Sequence, residues 1–181
     1  GGMLLCDDPE LAASARSLRN LCFQPERRFH HQELGYNFRL TNLQAALGLA
    51  QTERIAETVA RKRWMGQTYT ERLSGIPDLH LPVERPWARQ VYWMYGVVLD
   101  PKRELSAHEF ALRLREHGVD TRPFFLGMHA QPALQKRGLF VDQEYPIAEH
   151  LARRGLYLPS GLGLSEAQLE QVCNTVRETL L

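Results

Sequence analysis

Three spacings of the form Ser/Thr-x-x-Glu/Gln, at Thr41–Gln44, Ser106–Glu109 and Ser165–Gln168, constrain this chain more than any other feature. In such a capping box the hydroxyl accepts from the backbone N–H three residues on. The Glu or Gln side chain in turn accepts from the N–H of the capping residue, so each box fixes a helix start. Asp8-Pro9-Glu10 marks a fourth start, with Asp as N-cap, Pro in the first turn and an acid near the dipole's positive end. The first helix is expected to run to about Leu21, with Leu11, Ala15, Leu18 and Leu21 on one face. The pattern opened by Thr41 continues to about Leu73, with Leu43, Leu47, Ala50, Ile55, Val59 and Trp64 spaced for a buried stripe. It is long for a globular helix, which predicts a break near Thr58 or Gly66 before Gly75-Ile76-Pro77-Asp78 ends it.

The texture then changes. Leu79 to Val83 reads as a short strand and Val91 to Leu99 as a longer, strongly apolar one. Ser106 opens a helix that stops at Gly118, and Val119-Asp120-Thr121-Arg122-Pro123 begins another extended segment. A helix near Ile147–Arg154, a strand Leu156–Pro159 and the helix opened by Ser165 complete the chain. From Leu79 onward the order β-β-α-β-α-β-α predicts an α/β domain with a small sheet. The domain boundary is expected inside the long helix, near residues 58–75.

Composition narrows the function classes. A net charge of +1 over 181 residues offers no general case for nucleic acid or membrane binding. Only Lys62, Lys102 and Lys136 are lysines; the other basic residues are arginines, which suit bidentate contacts to carboxylate or phosphate, although a GC-rich genome gives the same bias. Cys6, Cys22 and Cys173 are odd in number and include no C-x-x-C, which argues against a disulfide framework or zinc site and fits a reducing cytoplasm. No apolar run approaches the roughly 20 residues of a membrane span. The opening GGMLLCDD reads as a strand running into a turn, which leads to the expectation that something precedes it.

Candidate site residues lie in two places. Asn37 and Arg39 stand one residue apart just before a capped helix and share one side if the segment is extended. An amide and a guanidinium so placed suit a phosphate or carboxylate. The alternative is a loop-tying Asn37 and a surface-paired Arg39. His30 and His31 lie in the same aromatic-rich segment, residues 22–40, without a cysteine or acid at ligand spacing. Farther on, Thr121-Arg122-Pro123-Phe124-Phe125 leads to His129-Ala130-Gln131-Pro132, an arginine at a strand end followed by a histidine in a loop. His129 either positions a polar ligand or caps a turn. Arg61-Lys62-Arg63 reads as the solvated face of a helix, and Arg153-Arg154 as favourable to a helix dipole. There is no G-x-S-x-G, P-loop or G-x-G-x-x-G.

At this point GYNFRLTNLQAALGLAQTER resembles the signature that follows the cofactor lysine in the DegT/DnrJ/EryC1/StrS family of pyridoxal-phosphate-dependent sugar aminotransferases. GGMLLCDDPELAASARSLRN is similar to the strand and helix downstream of that lysine. VYWMYGVVLD, GVDTRPFF, MHAQP and LYLPSGLGLSEAQLEQV resemble the family's small C-terminal domain. YWMYG with TRPFF and MHAQP is most like the GDP-perosamine synthase branch. The resemblance implies the C-terminal part of a fold-type I transferase: residues 1–58 as the remnant of the large cofactor domain and 59–181 as the small α/β domain. It further implies pyridoxal 5'-phosphate as cofactor, a nucleotide-sugar substrate, glutamate as amino donor, and a cytoplasmic homodimer with its active site at the subunit interface. Asn37, Arg39 and Tyr36 would bind the cofactor, with Asn37 donating to its phosphate. His31, Arg122 and His129 would contact the substrate.

The departures from the family pattern carry an expectation of their own. The Schiff-base lysine of the family lies just upstream of Gly1-Gly2, and Lys62, Lys102 and Lys136 match no such context. The aspartate for the pyridine nitrogen and the ring-stacking aromatic are missing as well. The chain alone is therefore expected to be inactive. Gly127 stands where many relatives have proline, which is expected to loosen that loop. Two other classes stand against the enzyme reading. One is a truncated, non-catalytic nucleotide-sugar-binding or dimerisation module. The other is a nucleic-acid binder, which the near-neutral charge disfavours.

Overall fold

All four capped helices form at the expected starts. Asp8 Oδ1 accepts from the N–H of Glu10 at 2.8 Å and of Leu11 at 3.2 Å to open α1 (Pro9–Arg19). Reciprocal boxes open α2 (Asn42–Glu53) at Thr41, α4 (Ala107–Glu116) at Ser106 and α7 (Glu166–Leu180) at Ser165. The remaining elements are α3 (Ile55–Leu73), α5 (Pro132–Gln135), α6 (Pro146–Arg154), a single 3-10 turn over Met128–Ala130 and four short strands: β1 (Leu79–His80), β2 (Tyr95–Leu99), β3 (Arg122–Pro123) and β4 (Gly155–Leu158). This computed structural model describes residues 1–181, which fall into two compact units, Gly1–Ala56 and Glu57–Leu181. No helix is long and apolar enough to cross a membrane.

The first unit departs most from expectation. Cys22 is its one buried residue. The stripe expected to be buried lies open: Leu43 is 81% exposed and Leu47 71%. Helical periodicity places apolar groups on one face, but that face is buried only where a second layer packs on it, and no layer within this unit covers α2. The long helix breaks at Arg54, the C-cap of α2, earlier than predicted. Helix α1 stops at Arg19 because Leu21 and Cys22 take φ of 60° and 52°, and the Leu21 N–H donates to the Tyr36 carbonyl at 3.0 Å. Gly1–Cys6 forms no strand, since no neighbouring strand offers it a ladder.

The second unit holds the core. Its sheet has the order β1-β2-β4-β3, antiparallel throughout, with Leu79 opposite Leu99, Tyr95 opposite Leu158 and Arg122 opposite Tyr157. Along β2, Tyr95, Val97 and Leu99 are buried while Gly96 and Val98 are half-buried, the period-2 alternation of a strand with one well-covered face. Met65, Tyr69 and Leu73 of α3, Phe110 and Leu114 of α4, and Leu169, Val172 and Val176 of α7 complete that core. The strand expected from Val91 begins only at Tyr95. Tyr92 has φ of 50°, and the Gln90 side chain accepts from the N–H groups of Val91 at 3.1 Å and Tyr92 at 3.3 Å, so the ladder never receives them. The turn lays the Tyr92 ring on Gly66, where a Cβ would stand 2.4 Å from it. Gly66 therefore serves close approach, and α3 runs through it without a break.

Three core groups give the unit a predictable alkaline limit. Burial pushes the Tyr69 phenol far above its usual range, so it stays neutral beyond the other two, Cys173 and Tyr95. Burial pushes the Cys173 thiol from 9.0 up to about 11 and the Tyr95 phenol from 10.0 up to about 12. The fold favours the neutral form of each. Their contribution is intact below about pH 9 and is lost as pH rises through 11 and then 12. Urea midpoints measured from pH 8 to 11 are expected to hold up to about pH 9 and to fall above it, and Cys173→Ala is expected to flatten the fall. A midpoint that stays level would overturn this.

Candidate functional site

In the first unit, the segment before α2 is held against the end of α1 by a single antiparallel bridge between Asn20 and Asn37. The Tyr36 N–H donates to the Leu18 carbonyl at 2.7 Å and the Phe38 N–H to the Arg19 carbonyl at 3.1 Å. Tyr36 and Phe38 stack with ring centroids 5.2 Å apart and planes within 5°, which fixes the extended period. By the same period Asn37 and Arg39 share the other side. Arg39 Nη1 donates to Asn20 Oδ1 at 3.2 Å, while the Asn37 amide is exposed. His31 is tied down locally: its Nδ1 lies 2.9 Å from the Leu21 carbonyl, and its ring lies 5.2 Å from Phe23.

Arg39 lines a cavity of about 880 Å³ together with Arg16 and Arg19, and no carboxylate contributes to its wall. Asn37, Tyr36 and His31 do not line it. Arg16 and Arg19 carry no motif that singles them out in the sequence. Their i, i+3 spacing on α1 was the available signal, but nothing in the sequence says that this face of α1 meets the segment carrying Arg39. Three guanidiniums without a counter-charge give the cavity the character of an anion site.

The second unit offers a cavity of about 580 Å³ lined by Trp93, Asp120, Arg122, Tyr157 and Ser160 among others. Arg122 sits on the edge strand β3, paired with Tyr157. The loop forming one wall is pinned from α3: Arg61 Nη2 donates to the Leu164 carbonyl, Lys62 Nζ to the Ser160 carbonyl, and Tyr69 Oη to the Pro159 carbonyl at 2.9 Å. Arg63 reaches the Gln90 carbonyl and pairs with Glu84 at 3.0 Å. The run Arg61-Lys62-Arg63 is thus not a solvated face but a row of clamps. Burial draws the Lys62 ammonium below its usual pKa. Charged side chains answer carbonyls that loops leave unpaired, and loop placement cannot be read from helix periodicity.

His129 does not line that cavity. Its Nε2 is buried without a hydrogen-bond partner, 3.6 Å from Glu149 Oε1, and its ring lies 4.7 Å from that of Tyr145. Glu149 also pairs with Arg153 at 3.0 Å. The imidazole packs on Gly127, where a Cβ would fall 2.5 Å from its Cε1. Glycine there admits the ring, a packing role beyond the looser loop expected from the sequence. Of the six residues singled out in the sequence, the structure brings Arg39 and Arg122 to cavities, one in each unit.

A family model described as the DegT/DnrJ/EryC1/StrS aminotransferase family matches residues 1–177. Among curated proteins, the chain is 33% identical over 182 residues to a GDP-perosamine synthase of Caulobacter vibrioides, covering 100% of this chain and 48% of that protein. It is 29% identical over 177 residues to a GDP-perosamine synthase of Vibrio cholerae, covering 98% and 47%. Among solved structures, the aminotransferase TlmJ from Streptoalloteichus hindustanus superposes with a TM-score of 0.81 at 29% identity, covering 96% of this chain and 46% of that one. The chain thus spans about half the length of the curated relatives it matches.

Proposed function

The chain belongs to the DegT/DnrJ/EryC1/StrS aminotransferase family, and from that premise we propose that it is the C-terminal part of a nucleotide-sugar aminotransferase. The reaction is transfer of an amino group from glutamate to a keto-sugar nucleotide, with a GDP-linked sugar favoured by the relatives named GDP-perosamine synthase. Residues 1–58 would belong to the large cofactor domain and 59–181 to the small domain. The observation that carries the reading is the cavity bearing Arg16, Arg19 and Arg39 with no carboxylate in its wall.

That donor set fits the phosphate of pyridoxal 5'-phosphate. Arg39, with Arg16 and Arg19, would offset the charge of the dianion. Asn37 lies outside the cavity's lining and is proposed as a neutral donor only to the part of the ligand that projects beyond it. When bound, the cofactor supplies the electron sink that transamination needs. Tyr36 and His31 support the segment that carries these donors. In the second unit Arg122 is proposed to hold the substrate's diphosphate. His129 lies outside that cavity's lining and is proposed to act on the substrate only indirectly, by anchoring the loop it packs in. A homodimer belongs to the same proposal, since Leu43, Leu47 and Ile55 are left exposed on α2 and α3 for a second copy to cover.

Residues 1–181 alone are proposed not to turn over. Lys62, which reaches the wall of the second-unit cavity, is committed to the Ser160 carbonyl. Calorimetric titration with pyridoxal phosphate is expected to show binding that Arg39→Ala weakens about 10-fold or more, with no transamination by the chain. Binding indifferent to Arg39→Ala and to Arg16→Ala would overturn the phosphate site. Turnover by this chain would overturn the inactivity.

A further inference from the structure

Asp120 and Arg122 both line the second-unit cavity, and neither is engaged in an ion pair or side-chain hydrogen bond. They stand two apart on a segment entering β3, so an extended backbone turns both to one side. Opposite charges so placed commonly close on each other; here both remain open to a ligand. Trp93, 71% exposed, adds an indole to the same cavity. Tyr157 already has Phe124 stacked on it at 4.4 Å.

The chemistry of the pair is asymmetric. Arg122 suits a diphosphate, but the Asp120 carboxylate would repel one, so it must face a donor. An ionised carboxylate offers only acceptors, on two adjacent oxygens. Guanine carries an exocyclic N2 amino group, next to its N1–H, and together these present two parallel donors on the Watson–Crick edge. Uracil and thymine present a single N–H flanked by two carbonyls, which a carboxylate opposes. We propose that Asp120 reads the N1–H/N2–H edge of guanine, with the base stacked on Trp93, and so selects a guanosine-diphosphate sugar over uridine or thymidine ones. Stacking on an indole tolerates every base; Asp120 therefore supplies the discrimination. The inference rests on the nucleotide-sugar reading above and deepens it.

Calorimetric titration of the chain with GDP, IDP and UDP tests it. IDP lacks only the 2-amino group, so GDP is expected to bind about 10-fold tighter than IDP, and UDP more weakly still. Asp120→Asn is expected to weaken GDP about 10-fold or more and to leave UDP unweakened. Removing a negative charge beside a diphosphate would by itself favour every diphosphate alike, so a selective loss for GDP runs against simple electrostatics. Asp120 is exposed, and thermal melts are expected to match; the GDP–IDP comparison on the unaltered chain needs no substitution at all. Equal affinity for GDP and IDP, or parallel changes for GDP and UDP in Asp120→Asn, would overturn the base-reading role. In that case Arg122→Ala weakening all three diphosphates would leave the nucleotide-sugar reading standing. Failure of the folded chain to bind any of the three would overturn both.

Discussion

Phe110→Ala is expected to destabilise the second unit by about 3–5 kcal/mol, the cost of removing an aromatic side chain from a packed interior and leaving a cavity. Phe110 is 0% exposed at the centre of a core shared by α3, α4, α7 and the sheet. A domain of ordinary stability has only about 5–15 kcal/mol in total, so the variant sits near the unfolding threshold. Urea denaturation followed by circular dichroism measures the loss. A change below about 1 kcal/mol would mean that α4 does not pack as described.

Arg154→Met is expected to cost about 2–4 kcal/mol, although the aliphatic part of the side chain is largely kept. The guanidinium donates from Nε to the Leu99 carbonyl at 3.2 Å, and from Nη2 to the carbonyls of Asp100 and Arg103. Methionine leaves three partly buried acceptors at the end of β2 without these donors, and an acceptor stripped of its partner costs more than the bond itself gained. Arg154→Lys is expected to recover only part, because an ammonium lacks the planar fork. The neighbouring Arg153 makes an exposed i, i+4 pair with Glu149, so Arg153→Ala is expected to change stability by less than about 0.5 kcal/mol. Equal costs at the two positions would overturn this assignment. Both arginines had been read from the sequence as dipole partners; only the fold separates them.

The same division runs through the site. Arg39 and Arg122 were legible because each stands beside a strong local signal, the capping box at Thr41 and the Thr-Arg-Pro entry to β3. Arg16 and Arg19 were not, since their meeting with Arg39 depends on hydrogen bonds between residues 18–21 and 36–38. Asn37, Tyr36 and His31 were singled out with Arg39, yet they stand outside the cavity's lining. Residue type and spacing say which groups share an edge, not where a cavity opens.

By itself, the sequence determined where the four capped helices begin and what family the chain resembles. Those signals are local or exact: a capping box closes within four residues, and a motif is a fixed string. It also determined the strand–helix order of the second unit apart from the short α5 (Pro132–Gln135), because period and turn residues act over a few positions. Tertiary structure alone decided which apolar stripe is buried, since burial needs a partner surface: Tyr69 found one in the second unit and Leu43 found none in the first. It likewise decided the work of Arg61, Lys62 and Arg154, whose carbonyl partners lie 51 to 103 residues away in sequence. A backbone carbonyl is present at every position, and only the folded path of the chain determines which of them a distant cation must satisfy.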